Sequence, residues 1–222
     1  MMDFDHIDTW VFDLDNTLYP ASCKLFDQMH KKMSAYVMRH FNLDFANAYA
    51  LQKKLYHRHG TTLRGLMVEY DHKPEGFLEE VHDIDYSTVP HSPALLAALE
   101  SLPGRKLVFT AGTHQHARRT MERLGVNEVF DGVFDIVDAL HIPKPAQAPY
   151  EKFLKDHAVT PISAVMFEDI SRNLEVPHQL GMTTVLVTSA ENEDGMILNG
   201  DTRLAHVHHT TDDLTKFLQR LS

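Results

Sequence analysis

The most informative segment of this 222-residue chain reads TWVFDLDNTL, residues 9–18. Its first half is a short apolar run of the kind that forms a buried strand, and its second half contains polar and turn-forming residues. Asp13 and Asp15 therefore stand one residue apart where the predicted strand ends. Ligands of open parallel sheets bind at the carboxyl ends of the strands, so both acids are predicted to lie in a site.

These two carboxylates carry like charges, which are costly to bury side by side. Burial without a cation costs roughly several kcal/mol per ion, so we expect a divalent ion or a shared proton. A hard cation such as Mg²⁺ fits carboxylate oxygens. The alternative is an ordinary turn, in which Asp15 and Asn16 satisfy backbone amides. The acidic pair therefore needs partners elsewhere in the chain before it predicts a site.

Strands and helices alternate after Pro93. Short apolar runs predict strands, and stretches with apolar residues three or four apart predict the helices between them. Such alternation predicts a doubly wound α/β fold, in which helices cover both faces of a parallel sheet. The later strands are predicted at Lys106–Thr110, Val133–Val137, Ser163–Phe167, Thr183–Val187 and Leu204–Val207, with helices at Ala94–Leu102, Gln115–Leu124, Tyr150–His157 and Asp212–Leu221 and a surface loop at Ser189–Asp201.

The segment before Pro90 is predicted to be helical throughout, once the first strand has ended. Apolar residues recur at helical spacing from Phe26 to Leu55, and no convincing strand precedes Pro90. We therefore expect two lobes. Residues 1–20 and 91–222 form an α/β core, and residues 21–90 form an inserted all-helical cap domain.

Composition narrows the classes of partner. The chain has 21 Lys and Arg against 31 Asp and Glu, a net charge of −10, which does not suit a nucleic-acid polymer or an anionic membrane. Cys23 is the only cysteine, so no intramolecular disulfide is expected. Neither a signal-peptide pattern nor an apolar run long enough to span a membrane is present, and a cytoplasmic location is expected. Nothing in the sequence predicts the oligomeric state.

Three further polar groups follow predicted strands. Thr110 precedes two small residues that let a backbone approach an anion, although it would also serve as a helix cap. Lys144 stands between two prolines and could face a phosphate, or be one more solvated lysine. Glu168 and Asp169 offer a second acidic pair for a metal, or an acidic helix start. Their joint occurrence, each after a strand, favours a site.

Taken in chain order, the first acidic pair and these three later groups resemble the four motifs of the haloacid dehalogenase-like hydrolase superfamily. Asp13-x-Asp15-x-Thr17 matches the first motif, Thr110 the second, Lys144 the third and Glu168-Asp169 the fourth. The resemblance covers essentially the whole chain. It implies phosphoryl chemistry, because the dehalogenases of the superfamily lack the second acid of the first motif. The helical insert resembles the family's first type of cap, and DLDNTLYP resembles the pyrimidine 5′-nucleotidase branch in particular.

The resemblance implies roles for the catalytic residues. Asp13 would attack phosphorus and form an aspartyl phosphate, and Asp15 would act as general acid and then as general base. Thr110 and Lys144 would bind the phosphate oxygens. Thr17 would brace the first loop, or be an ordinary turn residue.

A metal and a further substrate contact are implied in the same way. Mg²⁺ would be held by Asp13, the backbone carbonyl of Asp15 and Asp169, with Glu168 contacting it directly or through water. The side chain of Asp15 would then point away from the metal. Asn173 would contact the substrate, or serve as a helix-cap residue.

One departure concerns the second motif, where many relatives have Asn after the hydroxyl and this chain has Ala111. We expect the absence of the Asn amide to affect contacts with the cap or the orientation of the nucleophile more than the chemistry itself. The resemblance implies a small phosphate ester as the substrate, with a nucleoside 5′-monophosphate, and in particular a pyrimidine one, as the leading candidate. Alternatives are a sugar phosphate or phosphoglycolate as substrate, a phosphomutase, and a catalytically silent binding protein of the same fold.

Histidines provide two further candidates among the 16 in the chain. The cluster His206-x-His208-His209 suits an exposed strand edge better than a metal site, because neither cysteine nor carboxylate joins it. His114 and His116 open the helix that follows Thr110, where they would contact a substrate or lie in a solvated first turn.

Overall fold

The computed structural model describes residues 4–189 and 204–221. Its centre is a six-stranded sheet in which every pair of neighbours is parallel, in the order β3-β2-β1-β4-β5-β6. The strands are β1 (Thr9–Phe12), β2 (Arg105–Phe109), β3 (Gly132–Phe134), β4 (Ala164–Glu168), β5 (Thr183–Val187) and β6 (His209–Thr211). The predicted α/β fold is confirmed.

Helices cover both faces of the sheet, as a doubly wound fold requires. Alternate residues of β1 point to opposite faces, so Trp10 and Phe12 enter one apolar cluster and Val11 enters another. The α-helices of the described chain outside residues 21–90 are α5 (Pro93–Glu100), α6 (His114–Leu124), α7 (Gln147–Asp156), α8 (Glu175–Gln179) and α9 (Leu214–Gln219). The first cluster takes side chains from α5, α6 and α9, and the second takes them from α7 and α8.

Four further α-helices lie between β1 and α5. They are α1 (Leu25–Phe41), α2 (Phe45–His59), α3 (Thr62–Tyr70) and α4 (Pro74–Val81), numbered here in chain order. Apart from Leu25 at the start of α1, which joins the first cluster, the buried apolar residues that cluster in these helices form a third cluster. This third cluster supports the proposed division into a core of residues 1–20 and 91–222 and a cap of residues 21–90.

Several elements differ from their predicted bounds by a few residues. β3 ends at Phe134 rather than Val137, because the Asp135 carboxylate accepts hydrogen bonds from the amides of Val137 and Asp138 and turns the chain. The prediction of a strand at Leu204–Val207 is wrong. Residues 204–207 form a turn closed by the Val207 amide on the Leu204 carbonyl, and β6 follows it.

The last helix is also shorter than predicted and covers α9 alone. Asp213 caps it by accepting a hydrogen bond from the Lys216 amide. The predicted surface loop Ser189–Asp201 lies, except for Ser189, outside the described residues. Within those residues, none of the helices is both long and apolar enough to cross a bilayer.

Candidate active site

The strands that flank β1 bring the polar motifs together at one edge of the sheet. Asp13 follows β1, Thr110 follows β2, and Glu168 ends β4, all on the carboxyl side of neighbouring parallel strands. The chain crosses from one side of β1 to the other between β3 and β4, so this edge is a topological switch point. These side chains are nearly inaccessible, with Asp13 6% and Thr110 1% exposed.

Lys144 enters this group from the loop after β3. Its Nζ donates hydrogen bonds to Asp13 Oδ1 at 2.6 Å and to the Phe109 carbonyl at 2.9 Å, and it lies 2.7 Å from Glu168 Oε1. Burial opposes its charge, but the carboxylates of Asp13 and Glu168 outweigh burial and raise the pKa of Lys144 above its usual value. The lysine is 6% exposed, so it is not a solvated surface residue.

Three carboxylates share a small volume around this ammonium. Asp13, Glu168 and Asp169 each offer an oxygen, and these oxygens lie within 4.8 Å of one another. Burial, together with the charges of Glu168 and Asp15, raises the pKa of Asp13 to about 7 against the attraction of Lys144. Burial and the neighbouring carboxylates also raise the pKa of Asp169 well above its usual value. One ammonium therefore does not compensate the negative charge of the group.

A divalent cation fits this donor set. Hard cations prefer carboxylate oxygens, and a cation here would remove the repulsion that raises the pKa values of Asp13 and Asp169. Within the described residues, this is where carboxylate, imidazole or thiol ligands come close enough to hold a metal. Glu168 is held in place on both sides, since Oε1 accepts from Asn173 Nδ2 at 2.7 Å and Oε2 from the Ile170 amide at 2.8 Å.

Asp15 is turned away from the three carboxylates. Its Oδ1 accepts a hydrogen bond from the Tyr19 hydroxyl at 2.5 Å. The same oxygen lies 2.8 Å from His116 Nε2 and pairs with it. Burial disfavours its charge, but the charge of His116 and the hydrogen bonds from His116 and Tyr19 lower the pKa of Asp15 below its usual value. The two acids of the first motif thus occupy different environments, one beside Lys144 and one beside an imidazole.

The hydroxyl of Thr110 stays within its own loop. It accepts a hydrogen bond from the Gly112 amide at 2.9 Å. The alternative interpretation of Thr110 as a helix cap is wrong, because Thr113 fills that position by accepting from the His116 amide at 3.2 Å. Thr17 donates to Asp13 Oδ2 at 3.1 Å, which agrees with a bracing contact in the first loop.

Comparison with known protein families matches the arrangement to one of them. The family model described as haloacid dehalogenase-like hydrolase covers residues 10–187. The chain belongs to this family. The match runs from the second residue of β1 to the last residue of β5 and includes each of the motif residues described above.

Solved structures of haloacid dehalogenase-like proteins share the fold across almost the whole chain. A HAD phosphatase from Thermococcus onnurineus has a TM-score of 0.63 at 18% identity, covering 97% of this chain and 98% of that one. The L-2-haloacid dehalogenase from Xanthobacter autotrophicus with chloropropionic acid covalently bound has a TM-score of 0.60 at 14% identity, with the same coverage. The 2-haloacid dehalogenase from Pseudomonas syringae pv. Tomato DC3000 has a TM-score of 0.58 at 19% identity, covering 97% and 100%.

At these identities the structural likeness establishes the fold, and the family match establishes a hydrolase of the haloacid dehalogenase type. The solved relatives include a phosphatase and dehalogenases, so the bond that is cleaved has to be argued from the residues of this chain.

Asn173 lies at the site with a contact that the sequence did not suggest. Its amide Nδ2 holds Glu168, and its backbone carbonyl accepts from the Tyr150 hydroxyl at 2.6 Å. Its Oδ1 is buried with no hydrogen-bond partner in the described part of the chain. Asn173 therefore positions the acidic group, and a contact with substrate through Oδ1 stays a prediction.

Sequence reasoning missed the contacts between the helical segment and the core. Arg172 donates to the Tyr56 hydroxyl of α2 at 2.6 Å, and its guanidinium lies 5.0 Å from the centre of the Tyr56 ring. Gly60, at φ +83°, packs against the loop that carries Lys144, where a Cβ would lie 3.1 Å from Pro143 Cγ. These pairs are far apart in sequence, and no local pattern indicates them.

The histidines singled out in the sequence lie in different surroundings. His116 is completely buried at the site, whereas His114 is exposed. His208 Nδ1 accepts a hydrogen bond from the Thr184 amide at 3.0 Å, which joins the turn before β6 to β5. Of the histidine cluster and the histidine pair singled out in the sequence, one residue, His116, thus contacts a motif carboxylate.

Proposed function

We propose that this haloacid dehalogenase-like hydrolase is a Mg²⁺-dependent phosphatase of a small phosphomonoester. The observation that carries the proposal is the separation of the two acids of the first motif. Asp13 lies with Lys144 among the metal-type carboxylates, whereas the side chain of Asp15 is held outside them by Tyr19 and His116. A carboxylate kept off the metal is free to exchange protons with a leaving group and with water.

The reaction proceeds in two displacements. A carboxylate oxygen of Asp13 attacks phosphorus, the bond from phosphorus to the ester oxygen breaks, and that oxygen takes the proton of Asp15. Water then attacks phosphorus in the aspartyl phosphate, Asp15 accepts a proton from this water, and the Asp13 carboxylate leaves with its electron pair. Inorganic phosphate and the alcohol are the products.

Charge compensation comes from the chain itself and from the cation. Lys144, whose ammonium contacts Asp13, and the hydroxyl of Thr110, which follows the neighbouring strand β2, bind the phosphate oxygens as charge redistributes. Asp13, Asp169 and Glu168, with the backbone carbonyl of Asp15, would hold Mg²⁺, which would supply further positive charge to the phosphate.

The protonation of Asp15 follows from the charge of the substrate. The lowered pKa of Asp15 leaves its carboxyl ionised at neutral pH in the free protein. An anionic phosphate brings like charge close to this carboxylate, which raises the pKa of Asp15 toward the value that an acid catalyst needs.

The substrate class rests on the sequence resemblance of DLDNTLYP to pyrimidine 5′-nucleotidases. A nucleoside 5′-monophosphate is therefore the leading candidate substrate. Tyr19 of this segment contacts Asp15, which ties the segment to the site. A sugar phosphate or phosphoglycolate would use the same chemical groups, and a silent binding protein would not need all of them. The acidic composition and the single cysteine fit a cytoplasmic enzyme.

A panel of candidate substrates tests the proposal. Phosphate release is measured from nucleoside monophosphates, sugar phosphates and phosphoglycolate, and halide release from a 2-haloacid, first with Mg²⁺ and then with a chelator. We expect Mg²⁺-dependent phosphate release, with one ester class preferred by at least about tenfold, which corresponds to about 1.4 kcal/mol. A folded protein that releases halide, or releases phosphate from none of the esters, would contradict the proposal.

A further inference from the structure

Asp15 is held by a buried side chain that the four motifs do not include. His116, in the first turn of α6, has no exposed side-chain surface, and its Nε2 lies 2.8 Å from Asp15 Oδ1. The other ring nitrogen, Nδ1, lies 3.0 Å from the hydroxyl of Tyr86. Both nitrogens of the imidazole thus have a hydrogen-bonding partner. One partner is Asp15, and the other is Tyr86, which lies in the return segment, where the chain passes from the helical insert back to the core.

The ring of His116 is fixed from its faces as well. The imidazole of His82 stacks on it at 4.6 Å with an angle of 16° between the planes. Gly112 packs against it, and a Cβ on Gly112 would lie 2.7 Å from His116 Cδ2. A side chain at position 112 would therefore displace the imidazole from Asp15.

The return segment is itself tied down. The Tyr86 hydroxyl also donates to the backbone carbonyl of His82 at 3.1 Å, and His82 Nδ1 lies 3.3 Å from the Thr113 hydroxyl. Burial and, second, the nearby His116 lower the pKa of His82 to about 3, so this ring stacks in its neutral form. His82 and Tyr86 thus link the end of the helical insert to the imidazole that contacts Asp15.

The placement of the two contacts on Asp15 suits a carboxylate that transfers protons. The contacts from Tyr19 and His116 both end on Oδ1 of Asp15, and Oδ2 takes part in neither. Two contacts on one oxygen fix the plane of the carboxylate and leave the second oxygen for the leaving group and the water.

We propose that His116 is a positioning residue for Asp15, and that Tyr86 and His82 hold it in place. This role rests on the proposed phosphatase function. His116 itself does not contact the reacting atoms. It sets the orientation in which Asp15 Oδ2 delivers a proton to the ester oxygen.

The role predicts a dependence on the leaving group. An alkyl ester leaves as a strongly basic alkoxide and needs the proton of Asp15, whereas p-nitrophenolate leaves without one. A misplaced Asp15 therefore slows the first displacement for alkyl esters far more than for p-nitrophenyl phosphate. kcat/KM reports this displacement, because it covers the steps up to the first irreversible one.

The test compares kcat/KM for the preferred alkyl ester and for p-nitrophenyl phosphate in His116→Leu and His116→Gln. We expect His116→Leu to lose at least about 100-fold on the alkyl ester and less than about tenfold on p-nitrophenyl phosphate, the range of general acid catalysis. His116→Gln keeps an N–H donor at a similar reach and is expected to stay within about tenfold of the wild type on both. Tyr86→Phe, which removes one hydroxyl, is expected to give a smaller loss with the same selectivity.

Stability controls separate positioning from packing. Urea unfolding is measured for each variant, with His178→Leu, which disturbs a histidine stacked on His208 away from the site, as the matched control. Equal losses on both esters in His116→Leu and Tyr86→Phe, or wild-type rates in His116→Leu, would overturn the role of His116. A wild-type protein that cleaves neither ester contradicts the proposed phosphatase function itself, so the two failures are distinguishable.

Discussion

Asp13→Asn is expected to abolish turnover, with kcat at least about 10⁴-fold below the wild type, while the protein stays folded. The amide is nearly isosteric with the carboxylate. Its oxygen can still accept the hydrogen bond from Lys144, while its NH₂ group then faces the Thr17 hydroxyl, which can accept a hydrogen bond. The amide is, however, a poor nucleophile, so the first displacement has no attacking group. The loss should therefore appear in the chemical step and leave the unfolding transition nearly unchanged.

Steady-state phosphate release and urea unfolding together check this prediction. Asp156→Asn serves as the control, because Asp156 is an exposed carboxylate whose partner is the surface residue Lys152. It should retain wild-type turnover. Turnover near the wild-type rate in Asp13→Asn would eliminate the covalent mechanism.

Lys144→Met is expected to cause the largest loss of stability. Its ammonium is the counter-ion of Asp13 and Glu168 in a buried site, and its removal leaves two carboxylates without compensation. Breaking a buried ion pair by removing one partner costs about 3–5 kcal/mol. Activity should be lost as well, because the acids around the phosphate then lack their ammonium counter-ion.

The cost of Lys144→Met should rise with pH. Burial and repulsion already raise the pKa of Asp13 to about 7, and without Lys144 this pKa rises further. Between the unfolded value and the folded value, the folded state binds more protons than the unfolded state, so stability falls as the pH increases. At low pH the Asp13 carboxyl is protonated, so the missing ammonium matters less.

Metal-free urea unfolding at about pH 5.5 and about pH 8 tests this dependence. Lys152→Met is the matched control, since Lys152 pairs with Asp156 near the surface and such pairs contribute at most about 1 kcal/mol. A cost for Lys144→Met no larger than that of the control, at both pH values, would contradict the proposed charge balance.

The sheet and the convergence of the motifs were accessible from the sequence for simple physical reasons. Strands such as β1 and β4 are buried on both faces and read as continuous apolar runs. Parallel strands have their carboxyl ends at one edge, so Asp13, Thr110 and Glu168 had to meet once the alternation of strands and helices was recognised. Lys144 joined them because it follows β3.

Other features depend on tertiary packing and have no local signal. Leu204–Val207 has the apolar character of a strand, yet β6 is His209–Thr211, which pairs with Val185–Val187. The contacts of Tyr86 with His116 and of Tyr56 with Arg172 join residues from the helical segment to the core. Tyr19 lies four residues after Asp15, and only the geometry of the turn between them identifies its hydroxyl as a donor to that acid.

The covalent intermediate tests the central claim most directly. The protein is mixed with a phosphate-labelled ester of the preferred class and Mg²⁺, quenched in acid within one turnover, and digested for mass spectrometry. We predict protein-bound phosphate that hydroxylamine releases, located on the peptide with Asp13 and absent from Asp13→Asn. Turnover without protein-bound phosphate, or with phosphate on another residue, would contradict the account.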